Sequence, residues 1–178
     1  VNRSLGEMEL LQTKLRSFLA QLKLNGFEII FIDLPEVSFD YKTISSTDIR
    51  ADITKFLHRY GSDNEPRSFE GLVECYRERP HAHLYGMERL EDALAMPQIE
   101  KSELKKLVQE NVVKARNLIN SILDRYDADF VGFLNFVDWF SIGGGPSSTL
   151  PVSFETKPPI SIMLGSRVGN DLALLDIC

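Results

Sequence analysis

The sequence predicts an α/β chain: a mixed sheet with helices packed on its faces. Three observations carry that prediction. Apolar residues recur at spacings of three and four over several long stretches, which marks helices. Residues 27–32 and 129–134 form short, largely apolar runs, as strands covered on both faces do. Strand runs and helical stretches alternate along the chain, which points to layers and to some parallel pairing.

Taken in order, Ser4 to Glu7 reads as a capping box. Behind it Met8, Leu11, Leu15, Phe18, Leu19 and Leu22 share one helix face. Asn25-Gly26 ends that helix, because glycine tolerates the left-handed conformation at a C-terminal cap. Phe27 to Ile32 comes next as a strand, and Asp33-Leu34-Pro35 leaves it. A second helix is expected over 47–60, with Ser45, Ser46 and Thr47 as caps and Ile49, Ile53, Phe56, Leu57 and Tyr60 as its apolar stripe. Residues 61–66 are a loop. Ser68 opens a short helix bearing Phe69, Leu72, Val73 and Tyr76, which Pro80 stops. Another short helix covers 87–95, before Pro97. The longest runs over 102–126, with Leu104, Leu107, Val108, Ala115, Leu118, Ile119, Ile122, Leu123 and Tyr126 facing inward. A strand over 129–134, two more over 148–154 and 160–164, and a last helix from about Asn170 to Cys178 complete the reading. The gap between the first two strands makes residues 36–126 a largely helical excursion off the sheet.

Composition bounds the function. The chain has 178 residues, 43% hydrophobic and 26% charged, ordinary values for a globular domain with a real core. Its 20 basic and 26 acidic residues give a net charge of -6, and no basic stripe is present, so nucleic acid is not an expected partner. Lys101 to Lys106, interrupted by Glu103, reads as a solvated helix face. Two distant cysteines, Cys75 and Cys178, suit a reducing, cytoplasmic setting rather than a disulfide framework. No apolar run reaches the ~20 residues that cross a bilayer, so no membrane partner is expected. The start, Val1-Asn2-Arg3-Ser4, has no apolar signal region and no initiator Met, so a start downstream of a natural one is expected.

Local patterns give no complete catalytic set. Gly143-Gly144-Gly145-Pro146-Ser147-Ser148 lacks the Lys and the following helix of a phosphate loop and reads as a tight turn entering a strand. Ser147 and Ser148 have Lys157 nearby and no His, which leaves them without an evident base. His81 and His83 could face one metal, but further ligands would have to fold back from Cys75 or Glu78, and solvated histidines are the plainer reading. No metal site is therefore expected. His58 stands alone on a helix, and Cys75 reads as a buried, inert thiol. Asp33, Glu36, Asp40 and Asp48 lack a spacing that fixes two carboxylates on a substrate.

Several segments in order resemble the amidase-signature family downstream of its catalytic centre. They are Gly26-Phe27-Glu28-Ile29-Ile30 with Leu34-Pro35, residues 47–57, Arg67-Ser68-Phe69-Glu70-Gly71-Leu72-Val73, Leu84-Tyr85-Gly86-Met87-Glu88-Arg89-Leu90, Asp127-Ala128-Asp129-Phe130-Val131, Gly145-Pro146-Ser147-Ser148-Thr149-Leu150-Pro151-Val152, residues 160–165, and Asp171-Leu172-Ala173-Leu174-Leu175. The resemblance covers the chain from about residue 10 onward and rests on order and spacing, since no single motif is specific.

The resemblance implies that residues 1–178 are the C-terminal portion of an amidase-signature domain, an incomplete half of that fold. It implies amide hydrolysis by a serine nucleophile, a second serine on a cis peptide and a lysine base, without a cofactor. A lysine serves as base only where its surroundings depress its pKa. Those three residues belong to the family's other half, so no catalytic residue is carried over and this chain alone is expected to be inactive. In the family the loop before the Gly-x-Pro segment lies near the substrate tunnel. Trp139, Phe140, Ile142 and Gly144 are accordingly expected to line the site of a small-molecule amide substrate; the alternative is that Trp139 and Phe140 pack the core. Removing half of a sheet bares an edge, so a homo-oligomer through that edge is expected. Two other readings fit the same residues: a non-catalytic binding or oligomerisation module, and part of a glutamine-hydrolysing amidotransferase subunit.

Overall fold

Helix α1 spans Leu5–Leu24 and closes as the Asn25-Gly26 pair predicts. Gly26 takes φ +89°, its N–H donates to the Lys23 carbonyl at 3.1 Å, and the Phe27 N–H donates to Leu22 at 3.1 Å. Those two bonds are the Schellman pattern, which satisfies carbonyls the helix would otherwise strand. The computed structural model describes residues 5–63, 65–79, 81, 86–134, 137–155 and 159–177, so Ser4, Pro80, His83, Leu84, Tyr85, Lys157 and Cys178 lie outside the described residues.

The chain divides into two compact units. One comprises Val1–Glu36 and Val112–Cys178, the other Val37–Asn111. The second unit is helical. It holds α2 (Tyr41–Tyr60), α3 (Phe69–Arg77), α4 (Glu88–Ala95) and the first turns of α5 (Lys101–Arg125). Its core is Phe69, Val73, Met87 and Ala93, with Ile53, Tyr76, Leu90 and Leu94 against it. Ser68 caps α3 as expected: its Oγ accepts from the Gly71 N–H at 3.1 Å. Helix α2 starts at Tyr41 rather than near Thr47. The hydroxyls read as caps bond backwards instead, Ser45 Oγ to the Lys42 carbonyl and Thr47 Oγ1 to Thr43, a pattern that helix-interior Ser and Thr can adopt. Asp40 precedes the helix, and its N–H donates to Asn111 Oδ1 at 2.9 Å.

The other unit carries the sheet. Strands β1 (Val131–Phe133), β2 (Ser147–Ser153) and β3 (Ile160–Gly165) lie in the order β1-β3-β2, antiparallel throughout. The α/β class therefore holds, with helices on both sides of a small sheet. Among the described residues, parallel pairing is not found. The reason lies in residues 27–32, which have a strand's composition but no ladder. A strand exists only by bonding to a neighbour, and sequence supplies just one side of that relation. β3 is central and buried on both faces. Ile162 and Leu164 meet Leu174 of α7 (Asp171–Ile177), Phe18 of α1, and Leu150 and Val152 of β2. The opposite face of β3 meets α6 (Trp139–Gly143), where Phe140 lies against Gly165. Pro151 sits on edge strand β2, where its missing N–H costs no central ladder bond.

Candidate functional site

Helix α6 and the turn from it into β2 contain all four residues that the sequence marks for substrate. One helical turn forms over Trp139–Gly143, where the sequence suggests a loop. Gly144 ends it in the left-handed region, φ +70°. Gly145 donates its N–H to the Phe140 carbonyl at 3.0 Å. Ser147 then begins β2, so the glycine run enters a strand as its residues predict, while also closing a helix that they do not, and no helix succeeds it to cradle a phosphate.

The four side chains divide in two. Trp139 and Phe140 are 6% and 0% exposed. Both rings meet Phe133 edge-on, at 5.4 and 5.9 Å between centroids. Such tilted pairs are the favoured aromatic geometry in cores. Their surface is thus spent on packing, while Ile142 is half-buried and Gly144 is exposed.

Residues that sequence reasoning did not single out hold the turn. Arg116 on α5 donates Nε–H to the Gly143 carbonyl at 2.7 Å, satisfying a group at the helix end and placing a cation near it. Ser166, fully buried, donates its hydroxyl to the Asp129 carbonyl at 2.6 Å and accepts from Asn170 Nδ2 at 2.7 Å. Its own N–H donates to the Pro146 carbonyl at 3.1 Å. A hydroxyl so committed ties strand ends together rather than serving as a nucleophile. Nothing in the spacing of Arg116 or Ser166 announces these partners, since each acts across 27 or 37 positions of sequence.

The fold of the chain resembles solved structures. Over 94% of this chain and 33% of the other, it superposes on an amidase family protein from Bacillus anthracis strain Ames, with TM-score 0.69 and 15% identity. Over 76% of this chain and 31% of the other, it superposes on the native peptide amidase from Stenotrophomonas maltophilia, with TM-score 0.60 and 14% identity. The chain has the fold of part of an amidase. It spans about a third of the length of those amidases. No protein-family model and no curated protein matches the sequence.

The other residues with candidate chemistry are dispersed. Ser147 is exposed and Ser148 half-buried on β2. His58 and His81 are exposed, and Cys75 is half-buried rather than buried. Asp33 and Glu36 fall in one unit, Asp40 and Asp48 in the other. Among the described residues no three of His, Cys, Asp and Glu converge as a metal would require. No helix among them is long and apolar enough to cross a membrane. A hollow of about 310 Å³ lies between residues 32–35 and the end of α5, bordered by Asp33, Ser121, Arg125 and Tyr126.

Proposed function

We propose that this chain is the C-terminal portion of an amide hydrolase whose serine nucleophile, second serine and lysine lie on residues outside it. The amidase fold over nearly all of the chain carries this reading. It is supported by the commitment of buried Ser166 to structural bonds. Acyl transfer needs a nucleophile and a base within hydrogen-bond reach of each other. Among the described residues the turn supplies scaffold: Trp139 and Phe140 anchor α6, and Ile142 with Gly144 offers the accessible wall for the apolar part of an amide substrate. Only two cysteines in the chain support a reducing, cytoplasmic setting. The test is an assay of the chain on a panel of simple and peptide amides, with a serine-directed phosphonate as control. No turnover is expected. Turnover that the phosphonate abolishes overturns the assignment.

A second reading has its own support. The outer strands β1 and β2 and the unladdered residues 27–32 are surfaces on which another polypeptide, including a second copy, can add a strand. Under that reading the chain is a binding module, and hydrogen exchange at 27–32 slows when the partner is added.

A further inference from the structure

Helix α2 carries an apolar row that its own unit covers only at Ile53. Ile49, Ile53, Phe56 and Tyr60 recur at spacings of four, three and four, which is one face of a helix. Ile49 is 42% exposed, Phe56 60% and Tyr60 63%. The rings of Phe56 and Tyr60 touch, with centroids 5.0 Å apart. Ser45, Asp48, Ile49, Asp52, Ile53 and Phe56 border an open groove of about 580 Å³. Ile53 also packs on the core of the unit, so the row is seated firmly.

A charged row runs alongside, one residue behind each apolar member: Asp48, Asp52, Lys55, Arg59. Its order is two acids, then two bases. The other flank of α2 serves its own unit. There Arg50 Nε–H donates to Glu70 at 2.9 Å, and Thr54 Oγ1 accepts from the Phe69 N–H at 3.1 Å. The charged row stays in solvent, with the Asp52 and Lys55 side chains 70% and 71% exposed; Lys55 Nζ donates to Asp52 Oδ1 at 2.7 Å within the helix, a solvated pair that exchanges for a partner across an interface at little cost.

We propose that α2 is a self-pairing surface, on which a second copy of this chain lays its own α2 antiparallel. Read backwards, the charged row becomes two bases, then two acids. Asp48 therefore meets Arg59 of the second copy, and Asp52 meets its Lys55, each pair occurring twice about the two-fold axis. The apolar row matches under the same operation, Ile49 against Tyr60 and Ile53 against Phe56. The centres of the two rows lie one residue apart, so about the two-fold that aligns the apolar row the charged partners are offset along the axis by two residues, about 3 Å, within the reach of Lys and Arg side chains. A parallel two-fold would place the two charged rows on opposite sides of the seam, where neither meets the other, so only the antiparallel pairing uses them. Exposed aromatic side chains at the centre of such a patch suit an interface. This self-pairing does not depend on the amidase reading.

Sedimentation equilibrium on the full chain tests it, with two charge-reversed variants. Asp48→Lys/Asp52→Lys makes the row basic throughout, and Lys55→Asp/Arg59→Asp makes it acidic throughout. The parent chain is expected to dimerise, each variant to dimerise at least about tenfold more weakly, and an equimolar mixture of the two variants to recover the dimer. A parent that stays monomeric overturns the proposal. So does a dimer whose affinity ignores both variants, which places the contact elsewhere, such as the sheet edge. Circular dichroism checks that each variant keeps its helix content. If one does not, Phe56→Gln reads the same interface and is expected to weaken the dimer, and an unchanged dimer again overturns the proposal.

Discussion

Replacing Gly165 with alanine probes how the α6–β2 turn is held to the sheet. A Cβ there would lie 2.3, 2.4 and 2.5 Å from Phe140 Cζ, Cε2 and Cε1. Non-bonded carbons rest at roughly 3.5–4.0 Å, so the ring would have to retreat by more than about 1 Å. It has nowhere to go. Phe140 is fully buried, Phe133 sits 5.9 Å away edge-on, and a Cβ on Gly145 would already be 3.3 Å from Phe140 Cδ1. Overpacking a closed site costs about 1–3 kcal/mol, and the upper half of that range is expected here. For a chain of this size the melting temperature then falls by roughly 4–12 °C. Phe140→Ala alone costs about 3–5 kcal/mol through the cavity it leaves. The double variant is expected to cost less than the sum by about 1–3 kcal/mol, because the alanine methyl occupies space the ring vacated. The single tryptophan of the chain, Trp139, neighbours the site and reports its unfolding by fluorescence during denaturant titration. A Gly165→Ala midpoint equal to the parent's, or strictly additive effects, would refute the packing argument.

Four further outcomes rest on single residues. Ser68→Ala removes the cap on Gly71 and is expected to cost about 1 kcal/mol, read as a lower denaturation midpoint of the helical unit. Gly26→Ala meets no atom within 4 Å, so its cost of about 1 kcal/mol is conformational only, from forcing a Cβ onto φ +89°; Gly26→Asn should cost less, since Asn tolerates that region. Arg116→Met keeps the stem but loses the bond to the Gly143 carbonyl, lowering stability by about 1 kcal/mol and leaving Trp139 more accessible to an acrylamide quencher. The Glu70 carboxyl is held below its ordinary value of 4.5, first by its own backbone N–H and then by the Arg50 guanidinium. A depressed carboxylate stabilises the fold above its unfolded pKa and loses that contribution as pH falls through the folded one. Below about 4.5 the helical unit should therefore weaken more in the parent than in Glu70→Gln, by less than about 1 kcal/mol because the pair is solvated, as paired melts across acid pH would show.

The features legible in the sequence were local ones. The α1 cap, the Ser68 cap, the β3 run and the glycine turn each depend on a few neighbouring residues, so pattern alone places them. The start of α2 is different. Asp40, Ser45, Ser46 and Thr47 are all acceptable caps by type, and an Asn111 side chain 71 positions away bonds the Asp40 N–H at the helix start that forms. The site residues obey the same rule. The expectation that 139–144 line a substrate site comes from the family resemblance, whereas the burial of Trp139 and Phe140 is decided by Phe133 and by Gly165, a residue with no side chain to advertise the contact. Ser166 and Arg116, which fix the turn, have no motif because each donates to a distant main-chain carbonyl, which any residue type supplies.

In residues 27–32 local pattern and tertiary structure part company. Five of the six are apolar, the mark of a strand covered on both faces. Yet Phe31 is 78% exposed, and the run joins no ladder. Helix α7 repeats the pattern: Leu174 meets Ile162 and Leu164, while Leu172 and Leu175 on its other side face solvent. Sequences retain such apolar surface where something covers it, because bare patches of this kind promote association. Both stretches lie in the unit that holds the three-stranded sheet, and the chain spans a third of the amidases it superposes on. The uncovered strand run and helix face are therefore the features by which the C-terminal-portion reading is most exposed to test. If the chain is such a portion, protection of 27–32 and 172–175 against hydrogen exchange should appear together when the remaining fold is supplied. Protection of one without the other would argue for separate surfaces with separate partners.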